Sequence, residues 1–134
     1  LPSSDVTGEA NIVKLKLNRG VMLASVGIDD HKPQWLRVDT GCASALQWVV
    51  RGRKTTARNN GVSVGLTELN IPATATTVTL GSLTFDAVPT WLHRQPIFSG
   101  ESGLLGNGLL ARFERVTFDA RAGRLVLEAR RAGF

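Results

Sequence analysis

The segment WLRVDTGCAS, Trp35 to Ser44, places an aspartate, a threonine and a glycine directly after an apolar, strand-like run. Leu36 and Val38 alternate with Trp35 and Arg37, the period of a half-buried strand. An ionised carboxylate at the end of such a strand is costly unless something uses or satisfies it. Taken alone, Asp39-Thr40-Gly41 reads as a strand-ending turn, with Asp39 accepting backbone N–H groups. A given tripeptide arises by chance in roughly a few per cent of chains of this length. The reading therefore depends on what surrounds it.

The flanking chain is mostly strand. NIVKLKLN sets Val13, Leu15 and Leu17 against Lys14 and Lys16 with period two, and VMLASVGI (Val21 to Ile28) is a second run. QWLRVD (Gln34 to Asp39) is a third, and ALQWVV (Ala45 to Val50) follows the glycine turn. Asn60-Gly61 in RNNG is a strong hairpin signal, because Asn-Gly readily takes the positive φ of a tight turn. TTVTLGSLTFDAV predicts two strands around Gly81-Ser82, with Val78 and Leu80 opposite Leu83 and Phe85. RVTFDARAGRLVLE predicts a last hairpin around Ala122-Gly123. Only NGLLARFE (Asn107 to Glu114) reads as a helix, with Asn107 as its cap and Leu109, Leu110 and Phe113 on one side. Many short strands and one short helix predict an all-β fold, a closed or folded-over β barrel.

Composition sets the outer limits. The 134 residues are 43% hydrophobic and 20% charged, as in a globular domain with its own core. Residues 1–10 (through LPSSDVTGEA) read as a linker or trimmed start, and 11–134 as a single domain. No apolar run approaches the roughly 20 residues of a spanning helix, and no signal peptide is visible. The single cysteine, Cys42, excludes an intrachain disulfide and a cysteine-pair zinc site, and leaves the redox compartment open. His31 and His93 lie far apart without ligand spacing and read as surface or turn residues, so neither a metal nor a cofactor is expected. The net charge of +5 comes largely from arginines interspersed among apolar residues at strand spacing, so a solvated face is expected rather than a nucleic-acid surface. Trp35, Trp48 and Trp91 read as core or interface residues, with Trp48 and Trp91 as possible linings of a pocket near the site.

Two further blocks follow the Asp-Thr-Gly segment in order: GLLGNGLLARF, where two leucines run into Gly106 and a short helix, and then VTFDARAGRLVLE. Together these blocks resemble the retropepsin-like aspartic proteases, particularly the small bacterial ones, over Val21 to Glu128. The resemblance implies a closed acid-protease barrel with one short C-terminal helix, and hydrolysis of peptide bonds. It makes Asp39 one carboxylate of a proton-sharing pair and has Thr40 hydrogen-bond across the junction of two loops. Gly41 lets the loop approach the carboxylates, and Leu104, Leu105 and Gly106 pack beneath the loop. A covering flap falls at Asn60, Gly61, Val62 and Gly65. Like charges about 3 Å apart cannot both ionise, so one carboxyl stays an acid while the other is a base.

None of Asp5, Asp29, Asp30, Asp86 or Asp119 is followed by Thr-Gly or Ser-Gly, so one chain supplies half a site. A homodimer, or a second similar domain in a longer chain, would complete it for a peptide or protein substrate. Two departures stand out. Cys42 occupies a place usually held by alanine or serine, and Asn107-Gly108 stand where retroviral members carry an arginine that braces the dimer. The same barrel without catalysis, a dimerisation or peptide-binding module, is the alternative expectation. GNGLLA (Gly106 to Ala111) fits a dinucleotide fingerprint, but too little chain remains for the βαβ unit that it requires. A cysteine nucleophile at Cys42 lacks a recognisable histidine partner.

Overall fold

The computed structural model describes residues 10–50 and 73–129. Asn60, Gly61, Val62 and Gly65, where a flap is expected, lie outside the described residues. Among the described residues nine strands and one helical turn follow in order: β1 Ala10–Asn18, β2 Val21–Ile28, β3 Gln34–Asp39, β4 Leu46–Val49, β5 Ala73–Leu80, β6 Leu83–His93, β7 Gly103–Gly106, α1 Asn107–Leu110, β8 Arg115–Asp119 and β9 Arg124–Glu128.

The sheet order is β3-β7-β4-β6-β5-β2-β1-β9-β8, and β3 also pairs with β2. That extra pairing closes six strands, β2, β3, β7, β4, β6 and β5, into a barrel. Closure leaves no unpaired edge among those six. β1, β9 and β8 continue the sheet outward from β2.

Alternation decides which side chains fill the interior. On β1, Asn11, Val13 and Leu15 are buried while Ile12, Lys14 and Lys16 are exposed. Val26, Ile28, Leu36, Leu46, Val78, Leu80, Val88 and Leu105 are fully enclosed in one cluster. The pairings Val78↔Phe85 and Leu80↔Leu83 are those expected from the sequence. One polar pair sits within the core, Thr76 and Thr90, whose hydroxyls are 2.8 Å apart, with the Thr90 hydroxyl also within 2.9 Å of the Val88 carbonyl. Each hydroxyl thereby has a partner in place of water.

Three expectations are corrected. Leu17 keeps the phase of Val13 and Leu15 but is 58% exposed, because β1 ends one residue later at the turn into β2. The helix is a single turn, Asn107–Leu110, and its N-cap is Gly106 rather than Asn107. It stops because the Arg112 and Phe113 amides bond back three residues to Leu109 and Leu110, and the Glu114 amide turns to the Glu128 carbonyl. His93 is half-buried at the end of β6 rather than a surface or turn residue, whereas His31 lies in the turn after β2 as expected, its ring meeting Trp48 edge-on at 4.9 Å. Trp48 belongs to the core cluster, as the sequence reading expects.

Candidate active site

The Asp-Thr-Gly segment is positioned by a non-local arrangement. β3 runs parallel to β7, with Arg37↔Leu104, Val38↔Leu105 and Asp39↔Gly106 in register. β4 runs antiparallel to the other side of β7, with Leu46↔Leu105 and Trp48↔Gly103. The chain therefore leaves β3 at Asp39, crosses the end of β7, and returns as β4 with β7 between the two strands.

The crossing loop is fastened by its own carbonyls. Ala45 O accepts the Gly106 N–H at 3.0 Å, Cys42 O the Asn107 N–H at 2.8 Å, and Ser44 O the Gly108 N–H at 3.1 Å. The first amides of a helix have no partner within it, and here the loop supplies partners for two of them without a side-chain cap. Such close contact excludes a side chain at Gly106: a Cβ there would lie 2.1 Å from Ser44 O and 3.0 Å from Cys42 O. Gly103, at φ +147°, is confined similarly, with Gln47 O 2.0 Å from where its Cβ would be.

Asp39 is half-buried at the end of β3, and its Oδ1 accepts the Gly41 N–H at 3.1 Å. The Cys42 N–H closes the turn onto the Asp39 carbonyl at 3.1 Å. Thr40 is exposed, and no described residue partners its hydroxyl. At Gly41 a Cβ would meet only Asp39 Oδ1, at 3.5 Å, so packing within this chain does not itself demand glycine there. Leu104, Leu105 and Gly106 are all buried in β7, beside the strand that carries Asp39.

Two clusters flank the loop that the sequence did not single out. Arg37 shares a face of β3 with Asp39, two residues away. Its Nε and one terminal nitrogen donate to Glu101 Oε1 and Oε2, each at 2.7 Å, and its guanidinium stacks 3.7 Å from the Phe98 ring centre. The Glu101 hydrogen bonds hold the Arg37 pKa above its ordinary value against desolvation, and the charges of Glu101 and Asp39 add to the effect.

The second cluster runs through Gln47. Its Nε2 donates to Ser44 Oγ at 2.9 Å and to Cys42 Sγ at 3.4 Å. Its Oε1 lies 2.8 Å from His93 Nε2, so that ring nitrogen carries the proton and donates. Burial lowers the His93 pKa. Cys42 and Ser44 are 3.0 Å apart, which completes a polar brace from β6 to the loop. One signal was available: Gln47 is the polar residue within the apolar run of β4. Nothing local marks His93 as its partner, 46 residues away.

Among the described residues no group of three or more His, Cys, Asp or Glu side chains could hold a metal ion, and no helix is long and apolar enough to cross a membrane.

No protein-family model matches this sequence, and no curated protein matches it. The crystal structure of a retropepsin-like aspartic protease from Rickettsia conorii does match, with a TM-score of 0.62 over 90% of this chain and 92% of that one, at 19% identity. The barrel is therefore a retropepsin-like fold, as the sequence blocks led one to expect. At that identity the likeness extends to the fold and leaves the chemistry to be argued from the residues.

Proposed function

We propose that this chain is one half of an aspartic peptidase, completed by a second copy of the Asp-Thr-Gly loop in a homodimer or in a similar domain of a longer chain. The observation that carries the reading is the placement of Asp39: a half-buried carboxylate at the end of β3, on a loop clamped to the β7–α1 junction of a retropepsin-like barrel. Two other aspartates are engaged with the backbone. Asp29 accepts the Thr77 N–H, and Asp119 accepts the Ala122 N–H and lies 4.0 Å from Arg124.

In this reading the Gly41 amide fixes the orientation of the Asp39 carboxylate, with Oδ2 turned to a water. Two such carboxyls share one proton. The ionised one takes a proton from the water as its oxygen attacks the peptide carbonyl carbon, forming the C–O bond. The protonated one gives its proton to the carbonyl oxygen. Collapse of the tetrahedral intermediate breaks the C–N bond, and the amine leaves with a proton returned through the pair.

Incubation with an unstructured peptide mixture at mildly acidic pH, followed by mass spectrometry, tests the proposal. Cleavage blocked by a statine-type inhibitor and lowered about 1,000-fold or more by Asp39→Asn is expected. Equal digestion by wild type and variant would refute it.

One observation favours a non-catalytic peptide-binding or dimerisation module instead. Asn107, which follows Gly106, spends its backbone amide on its own loop at Cys42 O, and Gly108 after it has no side chain with which to brace a second subunit. A stable dimer that binds peptides and never cleaves them would establish this second reading.

A further inference from the structure

Trp35, Arg37 and Asp39 alternate onto one face of β3. At the Trp35 end of that face lies a groove of about 670 Å³, lined in part by Leu23 and Trp35 from the sheet, Lys16 and Arg19 from the β1–β2 hairpin, and Gly100 and Glu101 from the segment before β7. Its charges do not cancel. Glu101 is the acidic lining residue, and Arg37 already holds it through two 2.7 Å hydrogen bonds. Lys16 and Arg19 form no salt bridge among the described residues, so positive charge is left over.

A contact holds the Lys16 ammonium, and the turn geometry sets where Arg19 leaves the backbone. The Lys16 ammonium sits 4.4 Å from the Trp35 ring centre, a cation–π contact that keeps it over the groove wall. Arg19 is the first residue of the two-residue turn between Asn18 and Val21 and has φ +53°. Asn, Asp or Gly normally fills such a position, and other L-residues there are strained. A strained conformation kept at the rim of a groove points to work for the side chain that it presents.

Trp35 lies four residues from Asp39, about 13 Å along an extended strand. An extended peptide laid along β3 covers that distance in about four residues. We infer that the groove binds the carboxylate side chain of an acidic residue in an extended peptide, about four residues from the point opposite Asp39. The register relative to cleavage rests on the peptidase reading; the charge preference does not.

The test uses fluorescently labelled ten-residue peptides that differ only in carrying Glu, Gln or Lys at one scanned position. Their binding to the full chain with Asp39→Asn is followed by anisotropy. At the favoured position the Glu peptide should bind about 10-fold tighter than the Gln peptide, and the Lys peptide weakest. Lys16→Glu combined with Arg19→Glu should reverse that order. Arg19→Asn should lose about 3-fold of the preference while raising the thermal midpoint, because asparagine suits the turn, so misfolding cannot account for the loss. Equal affinities, absence of binding, a preference unchanged by the double reversal, or tighter binding of a single-stranded oligonucleotide of equal charge would each overturn the inference. Parallel digestion by the wild-type chain separates the two ideas. Charge-selective binding without cleavage sinks the peptidase and keeps the groove, whereas cleavage indifferent to charge does the opposite.

Discussion

Asp39 and Gly106 are register partners on parallel strands, although 66 intervening residues separate them in the chain. The carboxylate is thus placed by a contact that admits no side chain on the other strand, because Ser44 O occupies the space where a Cβ at position 106 would go. Positioning of the candidate site and integrity of the barrel come from the same few atoms.

Gly106→Ala should therefore destabilise the fold by about 3 kcal/mol or more, since both the crossing loop and β7 would have to move. Gly41→Ala should change stability by only about 0.5 kcal/mol, as its Cβ meets a single oxygen at ordinary contact distance. Urea unfolding of the two variants checks the contrast. Similar losses at both positions would contradict the account of the loop.

His93 predicts a pH dependence of stability. Burial lowers its pKa in the folded state below the ordinary 6.5. Below pH about 6.5 the unfolded chain then binds more protons than the folded one, so the neutral imidazole's contribution, complete above that pH, is lost as the pH falls. In denaturant titrations between pH 7.5 and 4.5, His93→Gln should show a shallower acid-side decline than wild type. Parallel curves would remove His93 as the cause.

Breaking the Arg37–Glu101 fork has a moderate expected cost. The two side chains are 26% and 18% exposed, which places the pair between a surface and a buried ion pair. Glu101→Gln should cost about 1–2 kcal/mol. It should also free the segment that holds Phe98, since the guanidinium stacked on that ring loses its anchor. Thermal unfolding together with amide exchange at 97–102 measures both effects.

A half-site at Asp39 bears on assembly. A sedimentation mass near twice 14.4 kDa at micromolar concentration is expected if the chain pairs with itself. Thr40→Val should weaken that dimer by about 10-fold or more while leaving the subunit fold intact, because the hydroxyl has no partner among the described residues of its own chain. A monomer that still cleaved peptides at Asp39 would contradict the shared-carboxylate mechanism.

How far the fold was legible depends on whether the signal was local. β2 and β3 have the bounds read from their apolar runs, and the Gly81-Ser82 turn pairs Leu80 with Leu83 as expected. Period-two alternation and turn chemistry act over a few residues, so the chain itself displays them. Leu17 departs from the phase of its strand because its exposure depends on where that strand leaves the barrel, which is not local. GLLG was read as packing beneath the loop but not as a strand; its four buried residues pair with two neighbours that are distant in sequence.

By itself the sequence determined most of the strands and their inward faces, several turns and the presence of an aspartate at a strand end. Tertiary structure alone decided that β7 enters between β3 and β4, that Arg37 is held by Glu101, and that Gln47 meets His93. The physical reason is that a strand's pattern says which face it must bury, whereas the partner on its edge is chosen only when the barrel closes and every backbone donor must find an acceptor.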